Sequence, residues 1–232
     1  MNIFITGSSR GLGKAFVDYY LDKGSNVYGL GRSTLKGSDY NYKEVDLSDE
    51  QALKEELSLM FLGIKSVELI VLNAGILGRI QDTSECDMQQ LKHEMDVNMW
   101  ANKTILDFFI DKKIEVKQVI AISSGASVNG SLGWNGYSLS KAALNMLIKL
   151  YAAEMKDTHL IALAPGLIKT EMLDSILQGD HDTERYSSVQ SLRDSEQKGL
   201  VYSPASIVSK VMEVIPKLLK EPSGAFVDIR NL

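Results

Sequence analysis

A tyrosine and a lysine stand four positions apart in the segment GWNGYSLSKAAL (133–144), at Tyr137 and Lys141. On a helix the two side chains share a face. A free tyrosine ionises near pH ~10 and is a poor proton exchanger at neutral pH. A nearby ammonium stabilises the phenolate and lowers that value, and a helix N-terminus pushes the same way. The pair therefore suits general acid–base catalysis at an oxygen. Alone, the spacing is a frequent accident, and the stretch reads equally as the start of a buried helix. Its surroundings add weight. Ser124 follows the apolar run QVIAIS (118–123), thirteen residues before the tyrosine. A hydroxyl there faces the crevice in which open α/β sheets bind ligands, and it can polarise a carbonyl. The plainer alternative is that Ser123 and Ser124 only end a strand. LNAG (72–75) and APG (164–166) close two further apolar runs at the same level.

The first apolar run leads into TGSSRGLG (6–13), with Gly7, Gly11 and Gly13 in a G-x-x-x-G-x-G spacing. Glycine permits positive φ and close approach of another group to the backbone. A helix that follows offers free N–H groups and a positive dipole end to a phosphate. A tight strand-to-helix turn without a ligand has the same glycines. Arg32 lies 19 residues after Gly13, in YGLGRS (28–33). Dinucleotide sites that prefer NAD carry an acid near this place, to hold the ribose 2′-hydroxyl. A guanidinium grips a 2′-phosphate instead, and Arg10 supplies a second cation. If a dinucleotide binds, NADP(H) is favoured; otherwise Arg32 is a surface arginine on a loop.

These residues need a scaffold, and the pattern provides one. Short apolar runs at 2–6, 26–30, 67–72, 118–123 and 160–164 are continuous rather than alternating, as for strands covered on both faces. YKEV (42–45) and AFVDI (225–229) are further strand candidates. Helix-length segments fall at roughly 11–23, 49–62, 84–110, 136–156 and 204–219. Strand–helix alternation predicts one α/β domain over 1–232, a doubly wound parallel sheet of about seven strands with helices on both faces. One region breaks the rhythm. Between about 171 and 202 the chain turns polar and irregular, including QGDHDTERYSSVQSLRDSEQKG (178–199). It follows a strand end, so it reads as a substrate-covering loop or as a solvated excursion.

Composition sets limits. A hydrophobic share of 44% and a charged share of 24% are ordinary for a globular domain, with enough apolar material for a core. A net charge of −5 without a basic run argues against a nucleic-acid partner. Cys86 is the only cysteine, which excludes an internal disulfide and suits a reducing, cytoplasmic setting. No apolar run has the length of a membrane span, and a first strand beginning at Asn2 leaves no room for a signal peptide. His93, His159 and His181 lack metal-ligand spacing, so no metal is expected.

The motifs TGSSRGLG (6–13), DL (46–47), NAG (73–75), VN (97–98), Ser124, YSLSK (137–141) and PGLIKT (165–170) occur in the order and along the span of the short-chain dehydrogenase/reductase family, which this sequence resembles over nearly its whole length. The resemblance implies a Rossmann-type domain that binds a nicotinamide dinucleotide, which Arg32 and Arg10 favour as NADP(H). It implies that Gly7, Ser9, Arg10, Gly11, Leu12 and Gly13 wrap the pyrophosphate and adenosine ribose, with Asp46 and Leu47 beside the adenine. Asn73, Ala74 and Gly75 would touch the cofactor, and Pro165, Gly166, Ile168 and Thr170 would hold the nicotinamide. Ser124 would polarise the substrate carbonyl and Tyr137 transfer the proton. Lys141 would bind the nicotinamide ribose and lower the tyrosine pKa. Asn98 would complete a proton relay, through water.

The tail SGAFVDIRNL (223–232) departs from many members and is similar to that of sepiapterin and benzil-type reductases. That likeness implies that Asp228 anchors a pterin-like substrate; on the residues alone, Asp228 is a strand residue facing solvent. Trp134 could stack on a planar substrate or simply pack. The expectation is an NADPH-dependent carbonyl reductase for a small ketone or dicarbonyl, as a homodimer or homotetramer. An alcohol dehydrogenase working oxidatively and a catalytically silent dinucleotide-binding regulator are the rivals.

Overall fold

The computed structural model describes residues 1–35 and 37–232. Seven strands form one parallel sheet: β1 Asn2–Thr6, β2 Asn26–Gly31, β3 Asn41–Glu44, β4 Ser66–Leu72, β5 Glu115–Ile122, β6 His159–Ala164 and β7 Ala225–Asp228. Their order is β3-β2-β1-β4-β5-β6-β7, which bears out the expected doubly wound sheet. The direction of winding reverses between β1 and β4, the place where such sheets open a ligand crevice.

The apolar runs are strands because both faces are covered. On one face Phe4, Ile70 and Val119 meet Leu53 and Leu57 of α2 (Glu50–Met60), Ile105 and Phe109 of α4 (Ala101–Asp111), and Leu144 and Ile148 of α5 (Asn135–Glu154). On the other, Ile3, Ile5 and Val71 meet Phe16 and Val17 of α1 (Gly11–Asp22) and Ile207, Val208 and Val211 of α8 (Pro204–Leu218). Each fully buried side chain of this size is worth about 1.5–3 kcal/mol. Asp49 caps α2 and Ser203 caps α8, with Pro204 in its first turn.

Two segments differ from the sequence expectation. The stretch read as one helix over 84–110 is α3 (Met88–Met95), a π-helical turn at Asp96–Trp100, and α4. Asn102 Nδ2 donates to the Asn98 carbonyl in this widened turn (2.8 Å). The stretch at 171–202, expected to be irregular, holds two helices, α6 (Glu171–Gln178) and α7 (Ser187–Gln197). Thr170 caps α6, and Arg193 of α7 donates to the carbonyls of Leu177 and Gly179 at its end. Leu173, Ile176 and Val189 bury themselves there with Leu77, Ile80, Trp134 and Tyr186. With only eight residues in α6, and only Val189 and Leu192 apolar in α7, neither helix is stable in isolation, and both become ordered against this shared cluster. Among the described residues no helix is long and apolar enough to cross a membrane, and no group of His, Cys, Asp and Glu could hold a metal ion.

Candidate active site

The switch point is stitched together by side chains. Thr6 Oγ1 at the end of β1 accepts from the N–H groups of Asn73 and Ala74, each at 3.0 Å. Asn73 Nδ2 donates back to the carbonyls of Thr6 (2.9 Å) and Gly7 (3.2 Å). Gly7 has φ +65°, and a Cβ there would lie 2.9 Å from Ala74 Cα. A Cβ on Gly13 would lie 2.1 Å from the Gly7 carbonyl oxygen. Gly7 and Gly13 thus let α1 start directly against the strand ends.

These strand ends open onto a cleft of about 970 Å³. It is lined by every site residue expected from the sequence except Gly13, Asn98 and Asp228. At one end lies the N-terminus of α1, which has no side-chain cap and no acid in its first turn. Its N–H groups and dipole are therefore left for an anion. Arg10 and Arg32 flank it, both exposed. Arg10 pairs with Glu171 of α6 across the mouth. Among the described residues Arg32 makes no ion pair, and it faces Asp46, whose carboxyl is held below its usual range mainly by bonds from Ser48. These features fit a dinucleotide phosphate group: an open helix start, two cations, and glycines where side chains would intrude.

Ser124, Tyr137 and Lys141 converge at the other end. The Ser124 hydroxyl accepts from Ala126 N (3.2 Å), which fixes the turn after β5. Ser123 Oγ, Asn145 and Ser127 continue that bracing to the Ser124 carbonyl. Tyr137 lies in the first turn of α5. Lys141, 3% exposed, sends Nζ to the Ile122 carbonyl at 2.8 Å and lies 5.7 Å from the centre of the tyrosine ring. Burial pushes the lysine down to about 8. It pushes the Tyr137 hydroxyl up from its ordinary value, against a smaller opposing effect of the Ser124 hydroxyl. The Lys141 ammonium thus donates to the Ile122 carbonyl while remaining beside the Tyr137 ring.

The three exceptions have structural places. Gly13 is covered by Gly7 and Asn73. Asn98, fully buried, accepts from Ile76 N (2.8 Å) and spends both amide hydrogens on the Ile76 carbonyl and Ser140 Oγ, each at 2.9 Å. Ser140 in turn donates to the Tyr137 carbonyl (2.9 Å), so Asn98 connects the segment after β4 to the tyrosine's own turn. Asp228 is bonded to Arg230, and it is Arg230 that lines the cleft. Trp134 both packs and faces the cleft: its Nε1 donates to Ser188 Oγ of α7 (2.7 Å), and its ring lies 6.1 Å from that of Tyr137.

Met172, Leu173 and Ile176 of α6 and Ser188 and Leu192 of α7 also line the cleft. Sequence reading placed this region near the substrate but singled out none of them. Asp82, after β4, ties the α6–α7 unit down by pairing with Arg185 and accepting from Tyr186 (3.1 Å). Arg230 was also missed, although it stands two residues from Asp228.

Comparison with known proteins agrees with this architecture. The family described as short chain dehydrogenase matches residues 1–181. A benzil reductase ((S)-benzoin forming) of Bacillus subtilis is 26% identical, over 98% of this chain and 97% of that protein. An NADPH-dependent pterin aldehyde reductase of Arabidopsis thaliana is 28% identical, over 75% of this chain and 77% of that protein. The crystal structure of a short chain dehydrogenase/reductase from Saccharomyces cerevisiae is 25% identical, superposes with a TM-score of 0.82, and covers 98% of this chain and 95% of that one.

Proposed function

The chain belongs to the short-chain dehydrogenase family, and from that premise we propose that it is an NADPH-dependent carbonyl reductase acting on a small ketone or dicarbonyl. The observation that carries this reading is the convergence of Ser124, Tyr137 and Lys141 in the same cleft as the uncapped start of α1. A catalytically silent regulator needs no such convergence. The relatives named for benzil and pterin aldehyde reduction agree with a carbonyl substrate.

The family uses nicotinamide dinucleotides. The N-terminus of α1 would take the pyrophosphate, Arg32 with Arg10 a 2′-phosphate, and Asp46 and Leu47 the adenine edge. Asn73, Ala74 and Gly75 would line its path, with Pro165, Gly166, Ile168 and Thr170 around the nicotinamide. When bound, the reduced nicotinamide supplies the hydride to the carbonyl carbon. The protein's own part is at the carbonyl oxygen. Ser124 and Tyr137 donate hydrogen bonds to it and stabilise the charge that develops there. Tyr137 then gives up its proton. A hydroxyl raised by burial is protonated at neutral pH, which suits the reducing direction. Lys141, an ammonium below about pH 8, stabilises the phenolate that remains. The α6–α7 unit would cover the substrate and exclude water.

Leu139, Met146 and Leu150 form an exposed apolar stripe along α5, which supports a homodimer or homotetramer. A cytoplasmic location accords with the lone cysteine. The test is a carbonyl panel followed by NADPH absorbance: benzil, sepiapterin, simple quinones and acetoacetyl thioesters. Saturable consumption with at least one of them is expected. No consumption with any would turn the account toward the silent regulator.

A further inference from the structure

The proton-transfer machinery leaves one charged group at the substrate end of the cleft without a role. Arg230, in the single turn after β7, runs past Gly166, its Cδ 3.8 Å from the point where a Cβ on that residue would sit. Its Nη2 ends 3.4 Å from the corresponding point on Gly125, the residue after Ser124. The Asn129 amide nitrogen is 3.7 Å from the same point. Among the described residues the Asn129 side chain makes no hydrogen bond, so its donors are open toward the cleft that it lines. Two donor groups therefore meet beside the serine.

Arg230 is held in that position. Asp228 accepts from Arg230 Nε at 2.9 Å and from Nη2 at 2.5 Å, and also from the Arg230 backbone N–H at 3.0 Å. This fork leaves Nη1 and the outer Nη2 hydrogen for a ligand. It also cancels the charge, since the pair together is neutral. Such a corner offers oriented donors to an oxygen but no uncompensated positive field to a carboxylate, which would meet Asp228 as well. The carbonyl under reduction lies against Ser124, so the oxygen that reaches Arg230 and Asn129 belongs to the neighbouring carbon.

We propose that Arg230, clamped by Asp228 and assisted by Asn129, determines specificity by binding a second, neutral carbonyl oxygen adjacent to the one that is reduced, so that the preferred substrates are 1,2-dicarbonyls. The proposal rests on the carbonyl-reductase reading above. It assigns the tail's contact with substrate to the arginine, and gives Asp228 the task of orienting and neutralising it.

The experiment compares kcat/KM for 1-phenyl-1,2-propanedione, for propiophenone (the same skeleton without the second carbonyl) and for phenylglyoxylate, with NADPH. The wild type is expected to favour the dione over both. In Arg230→Met the dione-to-monoketone ratio falls about tenfold or more, the loss typical of one charge-assisted hydrogen bond. In Asp228→Asn the guanidinium is uncompensated, and the phenylglyoxylate-to-dione ratio rises several-fold. Thermal melting and NADPH fluorescence check that the variants are folded. Should Arg230→Met not fold, Arg230→Lys keeps the charge and loses the fork, and it makes the same comparison. A pair that only staples the tail would lower all three substrates together and leave the ratios unchanged. That result overturns the proposal while the carbonyl-reductase reading stands. A wild type that reduces none of the three, nor any member of the wider panel, removes that reading and the proposal with it.

Discussion

Lys141 is a buried charge kept at a cost to the fold, and replacing it with methionine makes the cost measurable. The residue is 3% exposed, and burial alone lowers its pKa from 10.5 to about 8. At about 1.4 kcal/mol per pH unit, that drop corresponds to about 3 kcal/mol of destabilisation while the group is charged. Lys141→Met removes this cost but leaves the Ile122 carbonyl without the 2.8 Å bond from Nζ, a loss of about 1 kcal/mol. The net expectation is a gain of about 2 kcal/mol at pH 6.5, or roughly 4–8 °C in Tm for a domain of this size. The sign depends on pH. Below pH 8 the folded and unfolded states both carry the proton, and the wild type bears the whole cost. Between about 8 and 10.5 the unfolded chain keeps a proton that the folded one has lost, so wild-type stability rises with pH. The variant's advantage should therefore shrink at pH 9.5. Thermal melts of the cofactor-free protein at the two pH values, read by circular dichroism, measure both effects, and turnover should be lost in the same variant. A variant that melts at or below the wild type at pH 6.5, or whose advantage is the same at both pH values, would show that the buried charge is not what sets the balance.

Arg32→Ala should weaken NADPH binding about tenfold, as expected for one exposed charge-assisted phosphate contact, and change NADH binding far less. Fluorescence titration with both dinucleotides checks this, and equal losses would place the 2′-phosphate elsewhere. Gly13→Ala puts a methyl 2.1 Å from the Gly7 carbonyl oxygen, which backbone on both sides prevents from relaxing. Overpacking of that kind costs about 1–3 kcal/mol, so Tm should fall by roughly 2–12 °C and NADPH affinity should drop as the α1 start shifts. An unchanged melting temperature would mean that α1 is not locked against β1 and β4.

The sheet was legible because parallel strands covered on both faces must be continuous apolar runs, and Ile3–Ile5, Leu69–Leu72 and Val119–Ile122 are such runs. The cleft was legible because most of its residues stand at strand ends or helix starts, where spacing in sequence fixes placement. What was missed depends on contacts between distant segments. The helix α6 is only eight residues long and α7 is sparse in apolar residues, and only the cluster with Leu77, Ile80 and Trp134 gives Leu173, Ile176 and Val189 a common face. The π-helical turn at Asp96–Trp100 is invisible to a 3.6-residue period, and its Asn98 answers to Ile76 and Ser140 instead of a helical neighbour. Asp228 drew attention in the tail, but the ion pair that turns Arg230 into the cleft appears only when the last turn is folded over Gly166 and Gly125.

The central claim is that Tyr137 delivers the proton to the reduced carbonyl. The direct test is single-turnover oxidation of NADPH with a substrate found in the panel, wild type against Tyr137→Phe, beside NADPH binding to both. The account predicts a fall of about 10²–10⁴ in the rate with NADPH affinity retained. A phenylalanine variant that turns over at the wild-type rate would contradict it.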